Sequence, residues 1–151
     1  MRNSGSARAS SPARVLLVCH NKSGLAARRA VLEEMGHKVT TASSGEEALE
    51  HCSKLKFDLT VTDHRMGRMD GVELTRRIRE AEPSARVIML SGYMEALGLT
   101  EETTGADLLL AKGANEVTHL VRGVARLLRS QPPRKGAASE RPIVRAKRAS
   151  S

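Results

Sequence analysis

The segment FDLTVTDHRMGRMDG, residues 57–71, runs from an apolar stretch through a polar turn to a helix start. Its first part, 57–62, has the length and the β-branched content of a buried strand. Asp70 and Gly71 then form a pair that is typical of a helix N-terminus. Apolar residues recur at helical spacing after this pair. The segment therefore predicts a strand, a short loop and a helix, in that order.

The same order of elements repeats along the chain. Four further apolar runs have strand length, and they lie at 15–18, 39–42, 87–90 and 108–111. Continuous apolar runs without polar alternation are typical of strands that are buried on both faces of a parallel sheet. The sequence therefore predicts five parallel strands.

Helix signals fill the intervals between these strands. Ser44 and Glu47 have the spacing of a capping box, in which each side chain satisfies a free backbone amide of the other residue. Residues 94–104 predict only a weak fourth helix, because a glycine and several threonines lower its helix propensity. Alternating strands and helices with short links predict one α/β domain over residues 14–129. It is a doubly wound (βα)5 fold around a five-stranded parallel sheet.

The excess positive charge of the chain lies at its two ends. The net charge of the 151 residues is +8, but residues 15–129 contain 16 basic and 16 acidic side chains. Both ends are rich in Ser, Ala, Arg and Pro, so residues 1–13 and 130–151 are expected to form disordered basic tails. With two aromatic residues in the chain, base stacking is not expected. The C-terminal tail is expected to be a solvated linker, and the less favoured alternative is electrostatic contact of this tail with nucleic acid or an acidic partner.

The sequence also indicates a compartment. No stretch approaches the roughly 20 apolar residues of a membrane helix, and the N-terminus lacks the apolar region of a secretory signal. We therefore expect a cytoplasmic protein without membrane contact, and an organelle transit peptide is the alternative for the arginine-rich start. Cys19 and Cys52 are expected to be reduced. The scattered histidines His37, His51 and His119 are expected to face solvent.

Polar side chains follow the predicted strands where these end. In an open parallel sheet, the carboxyl ends of the strands meet at the functional crevice. Lys112 follows a buried strand and needs an anion nearby. A carboxylate such as Asp63 can serve as a nucleophile toward a phosphoryl group. The residues at these strand ends are Cys19, His20, Asp63, His64, Ser91 and Lys112.

Three segments carry a resemblance to a known family. VTDHRMGRMDG at 61–71, VIMLSG at 87–92 and GADLLLAKG at 105–113 resemble a response-regulator receiver domain, the CheY-like phosphoacceptor module of two-component signalling. The resemblance implies a flavodoxin-like fold and a signalling module that is not an enzyme. It also implies phosphorelay partners, namely a histidine kinase or phosphotransfer protein and a downstream protein.

The resemblance assigns roles to four residues. Asp63 corresponds to the phosphoacceptor, and Ser91 to the hydroxyl that hydrogen-bonds a phosphoryl oxygen. Lys112 corresponds to the lysine that pairs with the phosphoryl group or with the unmodified carboxylate. Arg65 occupies the position whose backbone carbonyl reaches the metal.

The chain departs from the family pattern at the positions where the family holds Mg²⁺. Cys19 and His20 stand where the family has two adjacent acidic residues. Mg²⁺ prefers oxygen ligands, whereas a thiol and an imidazole suit softer metals. The substitution removes two negative charges, so Mg²⁺ is expected to bind only weakly, through Asp63 and the Arg65 carbonyl. Mg²⁺-dependent phosphorylation is then expected to be slow. His20, if it is protonated, would replace part of the missing charge, and His64 beside Asp63 would help.

The chain also departs from the family at positions that take part in the change between the unmodified and the phosphorylated state. Gly113 follows Lys112 where the family commonly has proline, which predicts a looser loop. Leu109 occupies the place of a switching aromatic residue, and Gly67 replaces a frequent proline. The sequence thus predicts a receiver whose fold is kept and whose switch is altered.

Two functions follow as alternatives. In the first, the chain is a stand-alone relay component, because no effector domain follows Arg129. In the second, it is a pseudo-receiver that binds protein partners without being phosphorylated. A Zn²⁺ site at Cys19, His20, Asp63 and His64 is less favoured, because adjacent strand residues point to opposite faces of the sheet. A Cys/His hydrolase lacks a third orienting group.

Overall fold

The computed structural model describes residues 12–129. The chain forms, in order, β1 (Arg14–Val18), α1 (Lys22–Glu34), β2 (Lys38–Ala42), α2 (Gly45–Cys52), β3 (Leu59–Asp63), α3 (Gly71–Ala81), β4 (Val87–Ser91), α4 (Met94–Leu97), α5 (Glu101–Thr104), β5 (Leu108–Ala111) and α6 (Glu116–Arg129). Each predicted strand is present with small shifts at its ends. The predicted tails, 1–13 and 130–151, lie outside the described residues except for Pro12 and Ala13.

The strands form one parallel sheet in the order β2-β1-β3-β4-β5. This confirms the predicted five-stranded, doubly wound α/β fold. The order reverses between β1 and β3, where the chain moves from one half of the sheet to the other. The carboxyl ends of these two central strands therefore border the crevice in which such folds place their functional groups.

Each strand buries side chains on both faces of the sheet, which explains the continuous apolar runs. On one face, Val15 and Leu17 pack with Leu32 of α1 and Leu120 of α6. On the other face, Leu16, Val18 and Ala42 pack with residues of α2 and α3, including Ala48, Leu74 and Ile78. Because side chains alternate along a strand, Cys19 follows Val15 and Leu17 on the α1 face.

The predicted fourth helix is wrong in its form. The structure replaces one helix over 94–104 by the two short helices α4 and α5. Gly98, between them, has a φ of +63°, a left-handed conformation that glycine adopts without a steric penalty. Thr100 then caps α5 by accepting a hydrogen bond from the amide of Thr103.

The predicted capping box is formed only in part. The Ser44 side chain accepts a hydrogen bond from the Glu47 amide at 3.1 Å, as predicted. The Glu47 carboxylate instead accepts from the amide of Ser43 at 2.8 Å, one residue before the predicted donor.

The N-terminal edge of the sheet corrects the prediction for one histidine. Ala13, just before β1, is buried, and its carbonyl accepts a hydrogen bond from the amide of Lys38. His37, predicted to face solvent, is 5% exposed, and its Nδ1 accepts a hydrogen bond from the Ala13 amide at 3.0 Å. His51 is half-buried and His119 is exposed.

Between residues 12 and 129, no helix has both the length and the apolar character needed to cross a membrane.

The buried His37 makes stability depend on pH. Burial lowers the pKa of His37, and the nearby Asp58 carboxylate only partly offsets this effect. Below pH ~6.5, the unfolded chain therefore binds a proton that the folded chain excludes, and stability falls as the pH falls. We expect His37→Gln to weaken this dependence, because glutamine does not titrate.

Urea unfolding of wild type and His37→Gln between pH 7.5 and pH 5 measures this effect. One proton accounts for a slope of at most about 1.4 kcal/mol per pH unit. His119→Gln, at an exposed position, is the control and should keep the wild-type slope. Equal slopes in wild type and His37→Gln would contradict the prediction.

Candidate functional site

Asp63 ends β3 at the centre of the sheet and is 1% exposed. Its Oδ1 accepts a hydrogen bond from the Nη1 of Arg28, at 3.1 Å, and forms an ion pair with the Nζ of Lys112, at 2.9 Å. Its Oδ2 is buried without a hydrogen-bond partner among the described residues. The predicted meeting of Asp63 and Lys112 at one edge of the sheet is therefore confirmed, and Lys112 has the anion that its position required.

Arg28 is the residue of this site that the sequence reasoning missed. It lies on α1, is 8% exposed, and donates from Nε to the Oε2 of Glu116 at 2.5 Å. Burial opposes its charge, but the hydrogen bond to Glu116 and the charge of Asp63 raise the pKa of Arg28 above its ordinary value. Arg28 therefore carries a permanent positive charge in contact with two carboxylates.

A sequence signal for Arg28 does exist. Arg28 lies three residues after Leu25 and four before Leu32, which places it on the inward stripe of α1. A charged residue on such a stripe is buried only when it is paired. An arginine at this position therefore points to a carboxylate inside the fold.

Cys19 lies beside Arg28 and follows directly after β1. It is 1% exposed, and its Sγ accepts a hydrogen bond from the Nη1 of Arg28 at 3.1 Å. Burial raises the pKa of the Cys19 thiol, and the neighbouring Asp63 carboxylate raises it further, against smaller opposite effects from Asn21 and Arg28. Cys19 therefore stays a neutral thiol and adds no negative charge to the pocket.

Gly24 provides the space for this contact. A Cβ at position 24 would lie 3.3 Å from both the Nη1 of Arg28 and the Sγ of Cys19, closer than most Cβ contacts in proteins. The pocket is therefore shaped around the guanidinium group.

Among the described residues, neither His20 nor His64 forms an ion pair with the Asp63 carboxylate. His20 is exposed, and among the described residues it forms no ion pair or hydrogen bond with Asp63. The cationic side chain of the first helix that contacts Asp63 is Arg28, and the role of His20 stays a prediction. His64 is buried, and its Nδ1 has no hydrogen-bond partner within residues 12–129.

Ser91 and Arg65 lie at the same edge of the sheet. Ser91 ends β4, is 2% exposed, and its Oγ accepts a hydrogen bond from the Tyr93 amide at 3.1 Å. The guanidinium of Arg65 lies 5.5 Å from the centroid of the Tyr93 ring, so its side chain is turned toward that ring. The assigned roles of Ser91 and of the Arg65 carbonyl stay predictions.

The positions that depart from the family adopt defined conformations. Leu109 is 7% exposed and packs inward with Val87, Met89 and Ala106. Gly113 has a φ of +140°, which proline cannot adopt because its ring holds φ near about −65°. The loop after Lys112 therefore follows a path that a proline would exclude.

The oxygen ligands that Mg²⁺ requires are scarce in this pocket. Asp63 contributes one carboxylate, whose Oδ1 is already paired with two cationic groups, and Cys19 offers a neutral thiol. A divalent cation about 4 Å from a guanidinium is repelled by about 8 kcal/mol at an effective dielectric constant of about 20. The Glu116 carboxylate is held by Arg28, and the buried Oδ2 of Asp63 alone does not make a Mg²⁺ site against this repulsion. The residues present therefore do not fit the metal.

A Zn²⁺ site is not supported either. Within residues 12–129, no group of three or more His, Cys, Asp and Glu side chains is arranged to hold a metal ion. The outward position of His20 agrees with the alternation of side chains along a strand.

Comparison with known proteins gives the same fold and the same kind of module. The family model for the response regulator receiver domain matches residues 15–122. The gliding motility regulatory protein of Myxococcus xanthus is 33% identical over 119 residues, which is 76% of this chain. The chain spans only 15% of the length of that relative.

Solved structures align over most of this chain and nearly all of their own. The response regulator TrrA of Thermotoga maritima, solved in complex with Mg²⁺ and BeF, is 28% identical with a TM-score of 0.68, covering 76% of this chain and 97% of that one. The chemotaxis response regulator CheY4 of Vibrio cholerae is 27% identical with a TM-score of 0.70, covering 78% and 99%.

Close packing under Asp63 generates a stability prediction. The Asp70 side chain accepts from the amide of Glu73 and caps α3, as predicted, and the amide of Gly71 donates to the His64 carbonyl at 2.7 Å. A Cβ at position 71 would lie 2.3 Å from the carbonyl oxygen of Asp63. We expect Gly71→Ala to lower the free energy of unfolding by about 1–3 kcal/mol through this overlap.

Urea unfolding at pH 7 measures this change. Gly92→Ala is the control, because a Cβ there meets no atom within 4 Å, and it should alter stability by less than about 1 kcal/mol. A Gly71→Ala chain as stable as Gly92→Ala would refute the assigned steric constraint.

Proposed function

Because the chain belongs to the response-regulator receiver family, we propose that it acts as a receiver in two-component phosphorelay signalling, with Asp63 at the phosphoacceptor position. The observation that carries this proposal is the 2.9 Å contact between Lys112 Nζ and Asp63 Oδ1 at the carboxyl ends of β5 and β3. Ser91 is proposed as the hydroxyl that contacts a bound phosphoryl group. The donor would be a histidine kinase or phosphotransfer protein, and the output would be contact with a downstream protein.

We propose in addition that phosphorylation of Asp63 is slow. Receiver domains typically use Mg²⁺ for this reaction, and loss of metal assistance worth several kcal/mol corresponds to a rate about a thousandfold lower. Three features of the pocket support the proposal. Cys19 is neutral, His20 is exposed, and two cationic side chains already neutralise Asp63.

The alternative function is a pseudo-receiver that binds its partners without modification. The burial of the acceptor favours it, because Asp63 is 1% exposed and its Oδ2 is also buried. Attack on a phosphoryl donor requires this carboxylate to be reached from solvent. In both functions the chain acts as a signalling module and not as an enzyme.

Acetyl phosphate with MgCl₂, followed by intact-mass measurement, tests the proposal. We expect the chain to gain the mass of one phosphoryl group, at a rate about a thousandfold below that of CheY4 measured in parallel. Asp63→Asn should gain nothing. Asp70→Asn should behave as wild type, because asparagine also caps a helix N-terminus and Asp70 lies outside the pocket.

The remaining outcomes separate the two functions. No phosphoryl group after prolonged incubation supports the pseudo-receiver. Phosphorylation as fast as that of CheY4 would contradict the proposed slow reaction while leaving Asp63 as the acceptor. Modification that persists in Asp63→Asn would remove Asp63 from this role.

A further inference from the structure

We propose that Arg28 is a built-in cation that takes the place of Mg²⁺ beside Asp63, and that Arg28 is what keeps divalent metal out of this pocket. The proposal deepens the proposed function, because it concerns the regulation of the same carboxylate by charge. It rests on the geometry and the charges of Arg28, Asp63, Glu116 and Lys112.

The contacts of Arg28 are those of a cation held at a fixed place. Its Nη1 donates to Asp63 at 3.1 Å and its Nε donates to Glu116 at 2.5 Å. Asp63 ends a central strand and Glu116 opens the last helix, so the guanidinium joins two carboxylates from distant parts of the fold. A metal ion bridging carboxylates from separate elements would serve the same purpose.

The charges of the pocket are already balanced. Asp63 and Glu116 each contribute one negative charge, and Arg28 and Lys112 each contribute one positive charge. With a net charge of zero, the pocket offers a divalent cation no electrostatic attraction. Removal of Arg28 would leave a net charge of −1, which favours a divalent cation.

Of the residues around the Arg28 guanidinium, Gly24 leaves space for it and Cys19 accepts a hydrogen bond from it. Gly24 leaves the space in which the Nη1 of Arg28 meets Cys19, and a Cβ there would come within 3.3 Å of both groups. Cys19 accepts a hydrogen bond from Arg28 and carries no charge of its own. An acidic residue at position 19 would instead add a Mg²⁺ ligand, so the thiol and the arginine belong to one arrangement.

A purely structural ion pair is the competing explanation. If Arg28 only stabilised the fold, its removal would lower stability equally with and without metal. If Arg28 substitutes for the metal, its removal should create a requirement that Mg²⁺ fulfils. The response of the variant to Mg²⁺ therefore separates the two explanations.

The test is the Mg²⁺ response of Arg28→Ala. We expect its Mg²⁺ affinity to exceed that of wild type by at least about tenfold, because a like charge about 4 Å away is gone. Its midpoint of thermal unfolding should rise by about 3–8 °C in millimolar MgCl₂ relative to NaCl of equal ionic strength. Amide NMR shifts should change first next to Asp63. Wild type should show neither response.

Arg29→Ala is the matched control. Arg29 is the next residue of the same helix, is exposed, and pairs with Glu33 at 3.0 Å. Its removal takes the same charge from the chain outside the pocket. Mg²⁺ should therefore leave the midpoint of thermal unfolding of Arg29→Ala unchanged, as is also expected for wild type. Arg28→Lys, which keeps a cation in the pocket, should also show no gain.

An Arg28→Ala chain that folds only with Mg²⁺ supports the proposal. If that chain is unfolded in both salts, Arg28→Gln, which fills more of the side-chain volume without the charge, is judged by the same criteria. Wild type that binds Mg²⁺ as tightly as the variant, or a variant without any gain, overturns it. Since no phosphoryl donor is present, the result is independent of whether Asp63 is phosphorylated.

Discussion

A carboxylate buried at the end of a central strand is the constraint on which the rest of this site depends. Asp63 is 1% exposed, and an unpaired charge at such depth costs several kcal/mol in effective desolvation. The chain compensates it with Lys112, which follows β5, and Arg28 from α1. The compensating groups come from elements that meet only in the folded state, so the pocket and the sheet topology form together.

The second partner of Arg28 carries this constraint into the packing of the helices. Glu116, in the first turn of α6, holds the other side of the guanidinium, and both α1 and α6 cover the same face of the sheet. Asp63, Arg28 and Glu116 thus connect β3, α1 and α6 through charge as well as through the apolar contacts of Leu32 and Leu120. A tethered cation of this kind is always present and cannot be exchanged with solvent, whereas a bound metal ion can.

The sequence predicted the sheet and the meeting of Asp63 with Lys112 because both follow from simple rules. Continuous apolar runs indicate strands buried on both faces, and the carboxyl ends of parallel strands share one edge. The role of Arg28 was not predicted, because the rule for parallel sheets points to residues at strand ends. Arg28 lies on a helix, and its long side chain reaches that edge of the sheet from there. His37 escaped because its burial depends on Ala13, which composition alone assigned to a tail. The form of the 94–104 segment depended on the backbone angle at Gly98, which composition does not reveal.

The total charge of the pocket equals the total charge that the receiver pattern has with its metal bound. In the receiver pattern, three carboxylates, one lysine and Mg²⁺ sum to zero, and here two carboxylates, one lysine and one arginine also sum to zero. The two pockets are equal only in their total charge. A guanidinium carries half the charge of Mg²⁺, and its paired N–H groups already point to Asp63 and Glu116. A phosphoryl group, with about −1.5 to −2 charge, would be accommodated only if Arg28 gave up one of these bonds. If Asp63 is the phosphoacceptor, as proposed, the residue that pairs with this buried carboxylate also opposes its modification.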